Sequence, residues 1–345
     1  MSNETRSGSH DRDFVSLGMF IIDDFQFHDE DDKPTGRTLP PQIGGGGTYA
    51  TVGARIWLPA EKVGMIIDRG NDFPEDIQKK LDIYGPEMWL YRDDMERVTT
   101  RALNSYKGDH RGFQYTTPRI RITPRDLVNT KLAQPKMLHF ICSPERAASI
   151  ISEIQEEDGW SPITIYEPIP DRCVPEELPA LIAVLPYIAI LSPNAEEAMS
   201  LLSIPGLPTR SNVEEACRRL LEYGVGYEGS GTVIIRSGAL GAYVASRDKE
   251  GKWIPAFWSE RDSPTHVVDV TGAGNSFLGG LAAGLLKSEG DVYQATLYGT
   301  VSASFTIEQE GLPRLARTID NSGYAVEEWN TDSPQRRLEE LQNRL

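Results

Sequence analysis

The sequence predicts an α/β fold built on a mainly parallel sheet, and three observations carry that expectation. From about residue 136 onward, short apolar strand-like runs alternate with amphipathic helix-like stretches. A β-branched run at 265–270 passes through a turn of small residues, Gly272-Ala273-Gly274, straight into an apolar helix-like stretch. With 345 residues, 39% of them hydrophobic and 25% charged, the chain has the composition of a globular protein. That length supports one large domain with a small accessory lobe.

Taken in order, residues 1–13 are polar, lack the apolar stretch of a signal peptide, and read as a disordered tail. Residues 14–22 read as one buried strand closing on Asp23-Asp24, and 28–42 as a loop or flap. The glycine run 44–47 leads into a helix over 48–54, followed by a strand at 61–67 and a helix at 73–84 with Pro74 in its first turn. Residues 89–122 are rich in Thr, Tyr and Arg and alternate in short runs such as Phe113-Gln114-Tyr115 and Arg119-Ile120-Arg121-Ile122. That texture predicts antiparallel strands of an accessory sheet. Further strands are expected at 137–142, 162–166, 187–191 and 232–236, a hairpin at 241–246 and 253–258, and a strand at 265–269. The intervening helices fall at 144–156, 176–184, 194–202 and 211–223, then 273–287 and 291–308. A C-terminal extension, 318–345, ends in a charged amphipathic helix from 333.

Charge and cysteine content exclude several classes. Fifty-one acidic against 35 basic residues give a formal net charge of −16, a field that repels nucleic acid and anionic membranes. No apolar run approaches the ~18 residues of a membrane span, so a cytoplasmic or nuclear protein is expected. Cys142, Cys173 and Cys217 are an odd number without metal-ligand spacing, which argues against a disulfide framework. Within Met137-Leu138-His139-Phe140-Ile141, the adjoining Cys142 reads as a buried thiol.

Chemistry concentrates at the turn. Its glycines permit positive φ and close approach to main-chain N–H groups, which with the helix dipole form an anion site. Three other readings stand beside this one. The turn fits a plain strand–helix connection. It also resembles a dinucleotide fingerprint, as in NAD enzymes, although Phe277 stands where the third glycine belongs. A Walker loop is ruled out, because no Gly-x4-Gly-Lys-Ser/Thr occurs in the chain.

Asp269-Val270-Thr271-Gly272-Ala273-Gly274-Asn275-Ser276-Phe277 resembles the C-terminal signature of the PfkB, or ribokinase-like, carbohydrate kinases, usually D-T-T-G-A-G-D-A-F. Gly18-x4-Asp23, the glycine run 44–47, Asn71-Asp72-Phe73-Pro74, Ser192-Pro193-Asn194-x-x-Glu197 and Arg236-Ser237-Gly238-x-x-Gly241 match that family's motifs in family order. The resemblance implies a three-layer sandwich over residues 14–317, with a mainly parallel central sheet and a small β lid drawn from 25–42 and 89–122. It implies ATP-dependent transfer to a hydroxyl of a sugar or polyol, with Mg²⁺ as cofactor. A monovalent cation and a homodimer through the lid edge are left open.

By position, the resemblance assigns Asp23, Gly45, Gly46, Tyr49 and Cys142 to the small-molecule substrate. It assigns Asn194, Arg236, Ser237, Gly238, Gly241 and Gly274 to the nucleotide, and Glu197 to Mg²⁺ through water. Gly272, Ala273 and Gly274 become the anion hole. Asn275 takes the position of the catalytic aspartate, and an amide cannot accept a proton at neutral pH. Losing general-base help typically costs ~10²–10⁴ in rate. The expectation is therefore a slow kinase, or alternatively a nucleotide-binding pseudoenzyme that acts through protein contacts. D-x-T-G-x-G-N-S-F-L-G-G is itself similar to a fungal branch of the family, named for the yeast "maintenance of killer" protein.

Overall fold

The computed structural model describes residues 12–107, 110–258, 265–319, 323 and 325–345. The opening apolar run is two strands in two sheets. β1 (Phe14–Ser16) lies inside a large sheet; the chain leaves it at 17–20 and resumes as β2 (Ile21–His28) in a smaller one. Gly18 makes the crossing: a Cβ there would come within 2.5 Å of Gly47 N, so two backbones pass in direct contact. β3 (Gln42–Gly44) pairs antiparallel with β2 and feeds α1 (Gly46–Arg55), which starts one residue after Gly45 at φ 92°.

β4 (Val63–Arg69), α2 (Glu75–Asp82) and β5 (Trp89–Asp93) follow, with β5 parallel to β4 in the large sheet. The accessory sheet therefore begins later than the sequence predicts. Trp89 is buried and its indole N–H donates to Leu81 O at 2.9 Å, which anchors β5 in the core. The hairpin of β6 (Arg101–Lys107) and β7 (His110–Tyr115) joins β2 and β3 in the order β3-β2-β6-β7. β2 and β6 run parallel, so this lid is mixed, not purely antiparallel, and 119–122 form no strand.

The second half alternates as expected: β8 (Met137–Cys142), α3 (Pro144–Gln155), β9 (Ile163–Pro168), α4 (Leu178–Val184), β10 (Ile190–Leu191), α5 (Ala195–Leu201), α6 (Arg210–Glu222) and β11 (Thr232–Arg236). β12 (Ala242–Ser246) and β13 (Lys249–Ile254) complete nine strands ordered β13-β12-β11-β10-β9-β8-β1-β4-β5, parallel except at β12. β13 starts earlier than predicted, because a two-residue turn suffices and its polar Lys249-Glu250-Gly251-Lys252 suits a sheet edge. α7 (Ala273–Lys287) and α8 (Val292–Thr306) pack with α1 over one face; α3 to α6 cover the other. Strand residues alternate between the two cores, Phe14 to one and Val15 to the other. The fold is the expected ribokinase-like three-layer sandwich.

The predicted strand at 265–269 is absent. Val268 and Val270 are exposed, and the Val268 and Asp269 amides both donate to Ile307 O instead of a neighbouring strand. Of the predicted tail, residues 1–11 lie outside the described residues. Arg12 belongs to the body, donating to Ala60 O, Val63 O and Glu87 O at 2.9–3.1 Å. At the other end, β14 (Leu315–Ile319) and β15 (Ala325–Trp329) form a hairpin across the expected boundary at 317. α9 (Pro334–Gln342) buries Leu338 and Leu341, and its Arg337 pairs with Glu308 and Asp332 at 2.7 and 2.8 Å. Among the described residues no helix is long and apolar enough to cross a membrane.

The Gly18–Gly47 crossing gives a direct test. A Cβ on Gly47 would sit 2.1 Å from Gly18 O, a backbone atom that cannot rotate away. Gly47→Ala should therefore cost about 1–3 kcal/mol, read as a lower urea midpoint at unchanged slope. An unaltered midpoint would show that the crossing has slack.

Candidate functional site at the start of α7

The site lies where the carboxyl ends of β8 to β11 face the first turns of α1 and α7, the edge at which open parallel sheets bind ligands. Asp269 shapes the entry to α7: its Oδ1 accepts from Thr271 N at 2.9 Å and from Thr271 Oγ1 at 2.7 Å. Gly272 follows in the left-handed region at φ 77°, where a Cβ would strike the Tyr49 ring at 2.3 Å. The Ala273 amide turns back to Val270 O at 3.2 Å. Of the expected anion hole the Ala273 amide is thus spent, whereas the Gly272, Gly274 and Asn275 amides have no backbone acceptor among the described residues and are the donors this helix end offers an anion.

On the substrate side the structure brings four predicted positions together. Asp23 is buried with Oδ2 1.9 Å from where a Cβ of Gly44 would stand. A Cβ on Gly46 would meet Asn275 Nδ2 at 3.1 Å and Ile141 Cδ1 at 2.4 Å. Gly45 packs on Met19 O, and Tyr49 lies buried beneath Gly272, shaping the turn. Cys142 stays apart. Strand alternation points it into the far core with Phe140, Ala147 and Tyr166, where burial pushes its thiol up to about 12. Ile141 stands toward the glycine run in its place.

On the nucleotide side, Asn194 caps α5 in a reciprocal capping box: its Oδ1 accepts from Glu197 N at 2.8 Å, and Glu197 Oε2 accepts from Asn194 N at 2.7 Å. Ser237 N donates to Gly241 O at 2.7 Å, closing a tight loop with Gly238 at φ 53° and Gly241 at φ 92°. A Cβ on Gly238 would meet nothing, whereas one on Gly241 would hit Ile254 O at 2.0 Å. Gly238 thus faces open space and Gly241 serves packing.

Arg236 joins the two sides. Its Nη2 is 2.8 Å from Glu167 Oε1, 3.8 Å from Glu197 Oε2 and donates to Ser192 O at 3.0 Å. Its Nη1 lies 1.9 Å from where a Cβ of Gly274 would be, against the backbone of the turn. The other oxygen of Glu167 accepts from Asn275 Nδ2 at 2.7 Å and lies 3.7 Å from His139 Nε2. His139 Nδ1 in turn bonds Ser16 Oγ at 2.9 Å. Burial works to raise the Glu167 pKa, but Arg236 and His139 outweigh it and the carboxyl is held below its usual range. Glu197 goes the other way: burial pushes it up to about 7 against the pull of Arg236. Glu167, His139 and Ser16 escaped the sequence reading, and Ser192 entered it only as part of the motif that runs to Glu197. One signal was present: Glu167 is the one acidic residue of 163–168 and His139 the one basic residue of 137–142, both otherwise strand-like runs.

The profile of the pfkB family of carbohydrate kinases matches residues 12–317. The chain belongs to the PfkB family. It is 32% identical to an uncharacterised protein of Schizosaccharomyces pombe over 96% of this chain and 93% of that one. It is 33% identical to protein MAK32 of Saccharomyces cerevisiae, over 91% and 89%. A Staphylococcus aureus ribokinase is 26% identical over 59% of this chain and 62% of its own. Among solved structures, an Anopheles gambiae adenosine kinase bound to a diadenosine tetraphosphate superposes with TM-score 0.66 at 17% identity, over 87% of this chain and 95% of its own. A putative Escherichia coli ribokinase bound to ATP and Mg²⁺ gives 0.64 at 18%, over 97% and 100%. At those identities the structures share the fold.

The Mg²⁺ that the PfkB family implies finds no cage of directly ligating side chains among the described residues. Glu197 Oε2 is committed to its capping box, Glu167 Oε1 to Arg236 and Glu167 Oε2 to Asn275. Among the described residues no three acidic, histidine or cysteine side chains gather as ligands.

Asn275 is equally particular to this chain. An aspartate there would set a second carboxylate against Glu167, and like charges so close disfavour joint ionisation. Asn275→Asp should be about 1–3 kcal/mol less stable at pH 8. The pair's raised native pKa means the loss fades as pH falls and a shared proton is taken up. Asn275→Asp combined with Glu167→Gln should recover most of it in urea titrations. An Asn275→Asp protein as stable as wild type at pH 8 would refute the Glu167 contact.

Proposed function

We propose that this chain transfers a phosphoryl group from ATP to a hydroxyl of a sugar-like small molecule, and does so slowly. The observation that carries the reading is one convergence at the start of α7. Asp23, Gly44 to Gly46 and Asn275 meet on one side; Gly274, Arg236 and the Asn194 capping box meet on the other. An acceptor hydroxyl held by Asp23 and Asn275 would face a phosphoryl group held by the Gly274 and Asn275 amides and Arg236. Positioning and charge stabilisation supply most catalysis in phosphoryl transfer, whose loose transition state spreads charge over the phosphoryl oxygens.

Asn275 cannot be the proton acceptor. Its Nδ2 is held by Glu167, so its Oδ1 is the atom left to orient the hydroxyl. Relative to the 1–100 s⁻¹ of ordinary kinases, loss of base assistance leads to turnover of about 10⁻² s⁻¹. The commitment of Asn275 to Glu167 also favours a second reading, a nucleotide-binding protein without turnover that acts through protein contacts.

Thermal unfolding with ATP and Mg²⁺, followed by ADP release across pentoses, hexoses, inositols and nucleosides, separates the two. Saturating nucleotide at about 100 times Kd adds about 2.7 kcal/mol, and one acceptor class should stimulate ADP release. Stabilisation with no turnover for any acceptor selects the binding reading. No stabilisation by nucleotide contradicts both.

A further inference from the structure

We infer that the Arg236 guanidinium is the resident cation of the phosphate site and stands where a divalent metal would act, so that phosphate groups bind this chain without metal. The inference rests on the nucleotide reading above and goes beyond it by naming what neutralises the phosphates.

Position comes first. Arg236 ends β11, and its backbone bridges to Asn194 at the head of α5. From there the side chain, 11% exposed, runs between Glu167 and Glu197 to the backbone of Gly274. That is the space between two carboxylates and a helix N-terminus, where a cation bridging protein acids and phosphate oxygens would have to lie. A divalent ion entering there would sit within a few ångströms of a fixed guanidinium and be repelled by it.

Donor chemistry comes second. Nη2 is committed to Glu167 and Ser192 O, which fixes the plane of the group. Nε is buried with no hydrogen-bond partner among the described residues, and Nη1 lies against Gly274. A buried N–H without an acceptor is costly and calls for one. A guanidinium stays charged at any working pH and presents its donors in a rigid fork matched to phosphate oxygens. The amides of Gly274 and Asn275 supply the adjoining donors. Gly274 has no side chain because the guanidinium occupies that volume.

The test compares ATP binding to the full chain by calorimetry in excess EDTA and in Mg²⁺. The expected result is dissociation constants within about threefold of each other. Arg236→Met, similar in length and uncharged, should weaken binding in EDTA about tenfold or more, the size of a lost hydrogen bond to a charged group. Arg236→Lys, which keeps charge but loses the fork, should retain metal-free binding at reduced affinity. Should neither variant fold, the wild-type comparison alone decides. Wild-type binding in Mg²⁺ that is lost in EDTA overturns the inference and leaves the nucleotide reading intact. Absence of ATP binding in both conditions overturns the nucleotide reading, and this inference with it.

Discussion

A carboxylate buried inside a protein stays ionised only if neighbours supply what water would have supplied, and Glu167 at the end of β9 sets that condition here. It is 7% exposed. Arg236 meets one oxygen and Asn275 the other, with His139 close behind. Removing one partner of a buried pair leaves an uncompensated charge, so these residues depend on one another. The arrangement also draws β8, β9, β10, β11 and α7 to one point. The site is therefore held by the same contacts that hold the carboxyl edge of the sheet.

Small residues make that convergence geometrically feasible. Gly18 and Gly47 let β1 give way to the lid beneath the first turn of α1. Along α1 and α7, a Cβ on Gly53 would strike Ser276 O at 2.2 Å and one on Gly279 would strike Ala50 O at 1.8 Å, so the two helices touch backbone to backbone. Bringing them that close sets the Gly46 backbone beside Asn275 and Tyr49 under Gly272. Packing density in the helical layer thus fixes distances in the site.

Much of this was legible from residues alone because periodicity and turn chemistry are local. Alternation after 136 gave the parallel sheet, and the Gly272–Gly274 turn gave the helix start with its amides. What was missed is non-local. Residues 14–22 look like one strand until Gly18 meets Gly47, which lies far along the chain. Trp89 reads as lid until Leu81 and β4 claim it. The run 265–269 has the composition of a strand but no strand pairs with it among the described residues. Glu167 carries no motif: its role appears only once Arg236 and Asn275, 69 and 108 residues later, fold against it. Cys142 was placed by alignment with a family position, and the two-residue period of β8 turns Ile141 to the site instead.

Everything functional in this account depends on main-chain N–H groups of α7 gripping a phosphoryl group. Amide ¹H–¹⁵N spectra of the labelled protein recorded during addition of a non-hydrolysable ATP analogue, which keeps the γ-phosphoryl group, report on those groups directly. The Gly274 and Asn275 resonances should move with the binding isotherm and be among the largest shifts in the spectrum. An ATP analogue that binds while both resonances stay in place would contradict that grip.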